Sequence, residues 1–126
     1  MTHRCDPVRA ALAGAAVLMA AVVSTPPAHA QGFPVRTAGD LAALCAGGPG
    51  GAQKAAAINF CHGYAQGVLS LLMAHDAKSV CLPPKPPSRT QTLASFIAWT
   101  KSSENRAAAP AARGLEAFFK ETFACK

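Results

Sequence analysis

The fold class predicted for residues 31–126 is all-α: a small four-helix domain with a long central helix, stapled by two disulfides. Three observations predict it. Apolar residues recur at helical spacing in each long segment. Two capping-box patterns stand immediately ahead of such segments. No run of alternating or β-branched residues reads as a strand.

Residues 1–30 are set apart from the fold because they read as a secretory signal peptide. Arg4 and Arg9 give a basic start, residues 10–23 form an apolar run of fourteen, and Ala28-His29-Ala30 has the small-x-small form of a cleavage site. Fourteen residues fall short of the roughly 20 that cross a bilayer as a helix. The expectation is therefore an exported chain with one helical domain over 31–126 and no membrane span after cleavage.

Cutting after Ala30 leaves ten Lys or Arg against five Asp or Glu, a net charge of +5. The basic residues form no run and are not interleaved with aromatics, so the pattern argues against nucleic acid as a partner. Cysteine usage is more informative. Cys5 belongs to the leader, and the remainder keeps an even four, Cys45, Cys61, Cys81 and Cys125. In an oxidising compartment an even count in so short a chain predicts two disulfides, which a small core benefits from. Four cysteines allow three pairings and the sequence does not choose among them; the sequential pairing, Cys45 with Cys61 and Cys81 with Cys125, is the one adopted here as the expectation.

The first helix is expected over 38–46. Thr37 offers a cap, Asp40 three residues on completes a capping box, Val35 is placed to staple, and Leu41, Leu44 and Cys45 form the inward face. Gly47-Gly48-Pro49-Gly50-Gly51 then stops it. That glycine run is not a phosphate loop, because Gln53 precedes Lys54 and Ala55 follows it where a glycine and a hydroxyl residue are required. The long central helix covers 53–75, and the other elements are expected to pack around it. Ala57, Cys61, Tyr64, Val68, Leu71 and His75 fall on one stripe, read as its core-facing seam. Gly63 and Gly67 lie on a neighbouring face, where the missing Cβ atoms would admit another helix.

Pro83, Pro84, Pro86 and Pro87 favour an extended polyproline spacer anchored by Cys81. Ser88 and Gln91 form the second capping box, opening a third helix over 89–101 with Leu93, Phe96, Ile97 and Thr100 inward and Trp99 at the edge. Residues 102–105 break the pattern. Pro110 is suited to the first turn of a fourth helix ending near Phe123, in which Ala111, Leu115, Phe118, Phe119, Thr122 and Phe123 repeat and Glu116 pairs with Lys120.

The chain carries few of the residue patterns that catalysis or metal binding requires. Cys61 and His62 are adjacent, so on a helix they point about 100° apart and form no thiol-imidazole dyad. There is no Cys-x-x-Cys, no haem attachment motif and no His-Glu-x-x-His. His75 is placed to meet the last carbonyls of its helix. The five carboxylates of the exported part form no acid-base pair. No catalytic residue, metal or cofactor is expected, and the chain reads as a small secreted binding or protective module, not an enzyme.

Thr37-Ala38-Gly39-Asp40-Leu41 with Leu44-Cys45, then Cys61-His62-Gly63-Tyr64 with Gly67-Val68, then Cys81-Leu82-Pro83 and an aromatic helix closing on Cys125, resemble the Rap/Tai family of type VI secretion immunity proteins. The resemblance implies a helical periplasmic protein that binds and blocks a peptidoglycan amidase effector, a toxin with a Cys-His catalytic pair, and so protects the producing cell from self-intoxication. It also implies that the chain can act as a homodimer. The cysteines and the Gly-Tyr elements carry over as structural residues. The nominated partner-binding residues are the exposed polar connections beside the two capped helices: Lys85 and Ser88 in the proline segment, and Ser102, Ser103, Glu104, Asn105 and Arg106. The glycine run and the proline run depart from the family pattern. The alternative is a periplasmic acid-stress chaperone similar to HdeA-like proteins, which two disulfides and few carboxylates disfavour.

Overall fold

A computed structural model describes residues 32–126, and the predicted signal peptide and Cys5 lie outside them. Among the described residues the regular structure is helical: α1 (Ala38–Cys45), a 3₁₀ turn (Gly51–Gln53), α2 (Lys54–His75), α3 (Arg89–Lys101), α4 (Glu104–Ala108) and α5 (Ala111–Thr122).

Local chemistry explains where the helices begin and end. The Thr37 hydroxyl accepts the Asp40 amide at 3.1 Å, and the Asp40 carboxylate accepts the amides of Thr37 at 3.0 Å and Arg36 at 3.1 Å. These hydrogen bonds, from Thr37 first, hold the Asp40 carboxyl below the usual carboxylate range. Ser88 and Gln91 reciprocate in the same way at the start of α3. A cap of this kind stabilises a helix by about 1 kcal/mol. At the end of α1, the Gly48 amide donates to the Ala43 carbonyl and the Gly47 amide to the Leu44 carbonyl, both at 2.9 Å. That is the two-bond left-handed stop, and Gly47 at φ 111° occupies the position that excludes a Cβ.

Both disulfides join the pairs expected: Cys45 with Cys61, and Cys81 with Cys125. The first ties the end of α1 to the middle of α2. The second ties the proline segment to the C-terminal tail, where the Cys81 amide also donates to the Phe123 carbonyl at 2.7 Å.

The structure adds a helix that the sequence reading missed. Residues 102–105 were expected to break the pattern, yet Glu104–Ala108 winds into the five-residue α4 behind an extended Ser103. Its end follows from Pro110, which drives Ala109 to ψ 146°. Pro110 itself stands before the first turn of α5 and forms an isolated antiparallel bridge with Thr37. The flanking amides of Ala38 and Ala111 donate across to Ala109 and Arg36 at 2.8 and 3.0 Å, so α1 and α5 start from one shared anchor.

The hub of the fold is α1, which packs against each of the other four helices, whereas the long α2 rests chiefly on α1 and α5. The core is Leu41 and Cys61 with Val80, Phe96, Leu115, Phe118 and Phe119, all fully buried. Phe96 and Phe118 meet edge to face at 5.4 Å between centroids. Burial of each large side chain is worth about 1.5–3 kcal/mol. The polar Thr100 is tolerated inside because its hydroxyl donates to the Phe96 carbonyl at 2.8 Å.

The inward face of α2 differs from the stripe expected. Ala57, Cys61, Ala65 and Leu72 are buried, Tyr64 and Val68 are half-buried, Leu71 is 61% exposed and His75 is exposed. The buried set is spaced by four, four and seven, so the helix is turned toward its small residues. Ala57 and Ala65 let α1 come close, and the Cys45–Cys61 bond sets the rotation. Gly63 and Gly67 were expected to admit another helix. They face outward instead, with nothing within 4 Å of a Cβ placed on either.

Candidate functional site

The two nominated segments lie at opposite ends of α3, roughly 20 Å apart at 1.5 Å per residue. They differ in how far their side chains are already committed.

At the C-terminal end of α3, the Ser102 hydroxyl donates to the Trp99 carbonyl at 2.6 Å and accepts from the Arg106 guanidinium at 2.8 Å. Arg106 lies over the Trp99 ring at 4.6 Å from its centroid and pairs with Glu121 at 2.8 Å. The Trp99 indole N–H donates to the same Glu121 oxygen at 2.8 Å. Ser102 and Arg106 are thus structural pins joining α3, α4 and α5. Glu104 and Asn105 are exposed, and Ser103 is half-buried with no side-chain cap bond.

At the N-terminal end, Ser88 is engaged as the helix cap. Lys85 stands exposed in the proline segment and pairs with no carboxylate among the described residues. Beside them opens a pocket of about 150 Å³ that the sequence reading did not identify. Buried Ala65, Leu93 and Phe119 lie at its base, and Leu82, Pro86 and Pro87 make one wall. His62, Gln66 and Leu69 form the α2 side, Arg89 and Thr92 the α3 side, and Phe123 closes the end. The Cys81–Cys125 bond holds this shape, because Leu82 follows one half-cystine and Phe123 precedes the other by two residues.

The signal for this pocket in the sequence is faint. His62, Gln66 and Leu69 share a helical face at spacings of four and three, but the other walls come from residues 13 to 61 positions away along the chain. Closure of that distance is a tertiary event.

The remaining surface has two features that bear on partners. No Asp, Glu, Lys or Arg occurs between Ala55 and Ala74, so the outer face of α2 is uncharged and presents Gly63, Gly67, Leu71 and Met73 to solvent. Four of the five carboxylates in the described residues are used internally: Asp40 in its cap, Asp76 and Glu116 on Lys120, and Glu121 on Arg106. Among the described residues there is no cluster of metal ligands, and no helix is long and apolar enough to cross a membrane.

A family model described as Rap1a immunity proteins matches residues 37–125, from the cap of α1 to the last half-cystine. No curated protein and no solved structure matches the chain.

Proposed function

Because the chain belongs to the Rap1a immunity proteins, we propose that it is exported to the periplasm and there binds and inhibits a peptidoglycan amidase delivered by type VI secretion, protecting the cell that makes it. The observation that carries this reading is the extent of the family match, which takes in every helix among the described residues and both disulfides. The disulfides support export, since such bonds persist in oxidising compartments. Inhibition is by occlusion, with the rigid proline segment and the neighbouring pocket as the face that meets the toxin. The proline segment suits this role because its backbone is fixed before binding, which limits the ordering cost of association.

Self-association through the uncharged outer face of α2 completes the proposal. Leu71, 61% exposed, continues the line of Gly63 and Gly67 at four-residue spacing, and the two glycines let a second helix approach closely.

The test is co-purification with a candidate peptidoglycan amidase, sought first among the genes that neighbour this one, followed by assay of peptidoglycan cleavage. A stoichiometric complex that abolishes cleavage is the expected result. A neighbouring amidase that neither binds nor loses activity sinks the proposal.

A further inference from the structure

The pocket between α2, the proline segment, α3 and the C-terminal tail has a size and a charge balance that define what fits it. Its volume of about 150 Å³ is that of a cavity that holds one benzene ring. Its interior is apolar, formed by Leu69, Leu82, Leu93, Phe119 and Phe123. Its rim is not. Arg89 and His62 border it, and Lys85 stands in the adjoining proline segment. No Asp or Glu lines it.

The lack of a carboxylate at this rim has a structural cause. Asp40, Asp76, Glu116 and Glu121 are held by partners elsewhere, and Glu104 lies at the far end of α3. Among the described residues, Arg89 pairs with no acid. An apolar hole beside an uncompensated guanidinium is complementary to an apolar group that carries a negative charge at its edge.

We propose that this pocket receives one aromatic side chain of the protein partner together with a carboxylate beside it, the ring entering between Leu82 and Phe123 and the carboxylate meeting Arg89, with His62 as a second donor. The inference rests on the immunity reading for the identity of the partner, but not for the chemistry of the pocket. A ring seated there is the buried anchor of the interface, and the arginine sets its orientation.

The experiment uses two small probes first. 3-Phenylpropionate and 3-phenylpropanamide are titrated separately into the full chain and followed by amide chemical shifts. The acid is expected to shift Leu69, Leu82 and Phe123 and to bind about tenfold more tightly than the amide, the ratio that one hydrogen bond between charged groups supplies. Arg89→Glu is expected to erase that preference while the fold persists, since an acid in the first turn of α3 complements the helix dipole. Lys54→Glu makes the same charge change at the distant start of α2 and is expected to leave the preference intact. Equal binding of acid and amide, or shifts confined to another face, overturns the proposal. So does a chain whose mass doubles with concentration and reverts in Arg89→Glu, which identifies a second copy as the occupant.

The candidate amidase is then tested against Arg89→Glu and Gln66→Trp, the second variant filling the pocket from an exposed position. Binding weakened at least about tenfold by both supports the proposal. Unchanged binding by both removes the pocket from the interface while the immunity reading stands. Probe binding as expected, with no amidase bound by the wild-type chain, leaves the pocket chemistry standing and removes the immunity reading.

Discussion

Gly114 of α5 faces Ala38 of α1 with no room for a side chain between them: a Cβ placed on Gly114 would stand 2.5 Å from the Ala38 Cβ. Ala38 is fully buried and anchored by its own amide to Ala109, so it has no way to yield. In an open helix Gly→Ala gains about 1 kcal/mol of propensity. Here the overlap outweighs that gain, and Gly114→Ala is expected to lose about 1–2 kcal/mol net. The midpoint of thermal unfolding should fall by about 4–8 °C per kcal/mol. Adding Ala38→Gly to the same chain should restore most of the loss, which separates the contact from a general effect on α5.

Gly63 and Gly67 predict the opposite sign. Nothing lies within 4 Å of a Cβ at either position, so each Gly→Ala change should raise the stability of the single chain by about 0.5–1 kcal/mol. If two copies pack through this face, the added methyl groups also separate them. Light scattering of the double variant is expected to show a shift toward the single chain together with a higher melting temperature. A wild-type chain that stays single at every concentration removes the proposed self-association.

The two disulfides should respond differently to reductant. Cys61 and Cys45 are buried, whereas Cys81 is exposed and Cys125 half-buried. Graded dithiothreitol with alkylation and mass mapping is expected to open Cys81–Cys125 first. Separations of 16 and 44 residues correspond to about 3 and about 4 kcal/mol of restriction on the unfolded chain. Replacing Cys81 and Cys125 by Ser should therefore cost more stability than replacing Cys45 and Cys61 by Ala, apart from packing losses at the buried pair. It should also weaken probe binding to the pocket, whose wall and end flank that bond.

Acid should loosen the contact between α2 and α5. Lys120 reaches Asp76 at 3.2 Å and Glu116 at 3.0 Å. The Lys120 ammonium lowers both carboxyls below their usual range, with Ser79 assisting at Asp76 and Arg113 at Glu116. A lowered folded value means that the contribution is present above the ordinary value, about pH 4, and fades as the pH falls through the folded one. Lys120 is raised by Glu116 and then by Asp76, so its contribution fades only as the pH rises through its folded value at the alkaline end. Lys120→Met is expected to flatten the acid limb of a stability-against-pH curve. An unchanged limb would show that these exposed charges are screened by solvent.

The corner at Ser102–Arg106 separates structural from partner-facing residues. Arg106→Ala removes both the cover over Trp99 and the pair with Glu121, and should cost about 1 kcal/mol with a shift in tryptophan emission. Glu104→Ala and Asn105→Ala should leave stability within about 0.5 kcal/mol. Any loss of amidase inhibition in those two variants thus reports contact with the partner; unchanged inhibition confines the binding face to the proline segment and pocket.

Much of this protein was determined by its sequence alone. The caps at Thr37 and Ser88, the stop at Gly47, the span of α3 and the ion pair from Glu116 to Lys120 are written within a few residues of each other, so helical period and side-chain chemistry suffice to place them. The even four cysteines predicted two staples, and the order of motifs predicted the family. Tertiary structure decided the rest. Apolarity favoured Leu71 and Tyr64 for the inward face of α2, but the space beside α1 and the reach of the Cys45–Cys61 bond select Ala57, Ala65 and Leu72. Short α4 exists because Ser103 and Pro110 bound it and Arg106 is held from another helix, which no local pattern displays. The same holds for the pocket: its walls come from three separated stretches of the chain, and the acids that could compensate its arginine are held by partners on other faces.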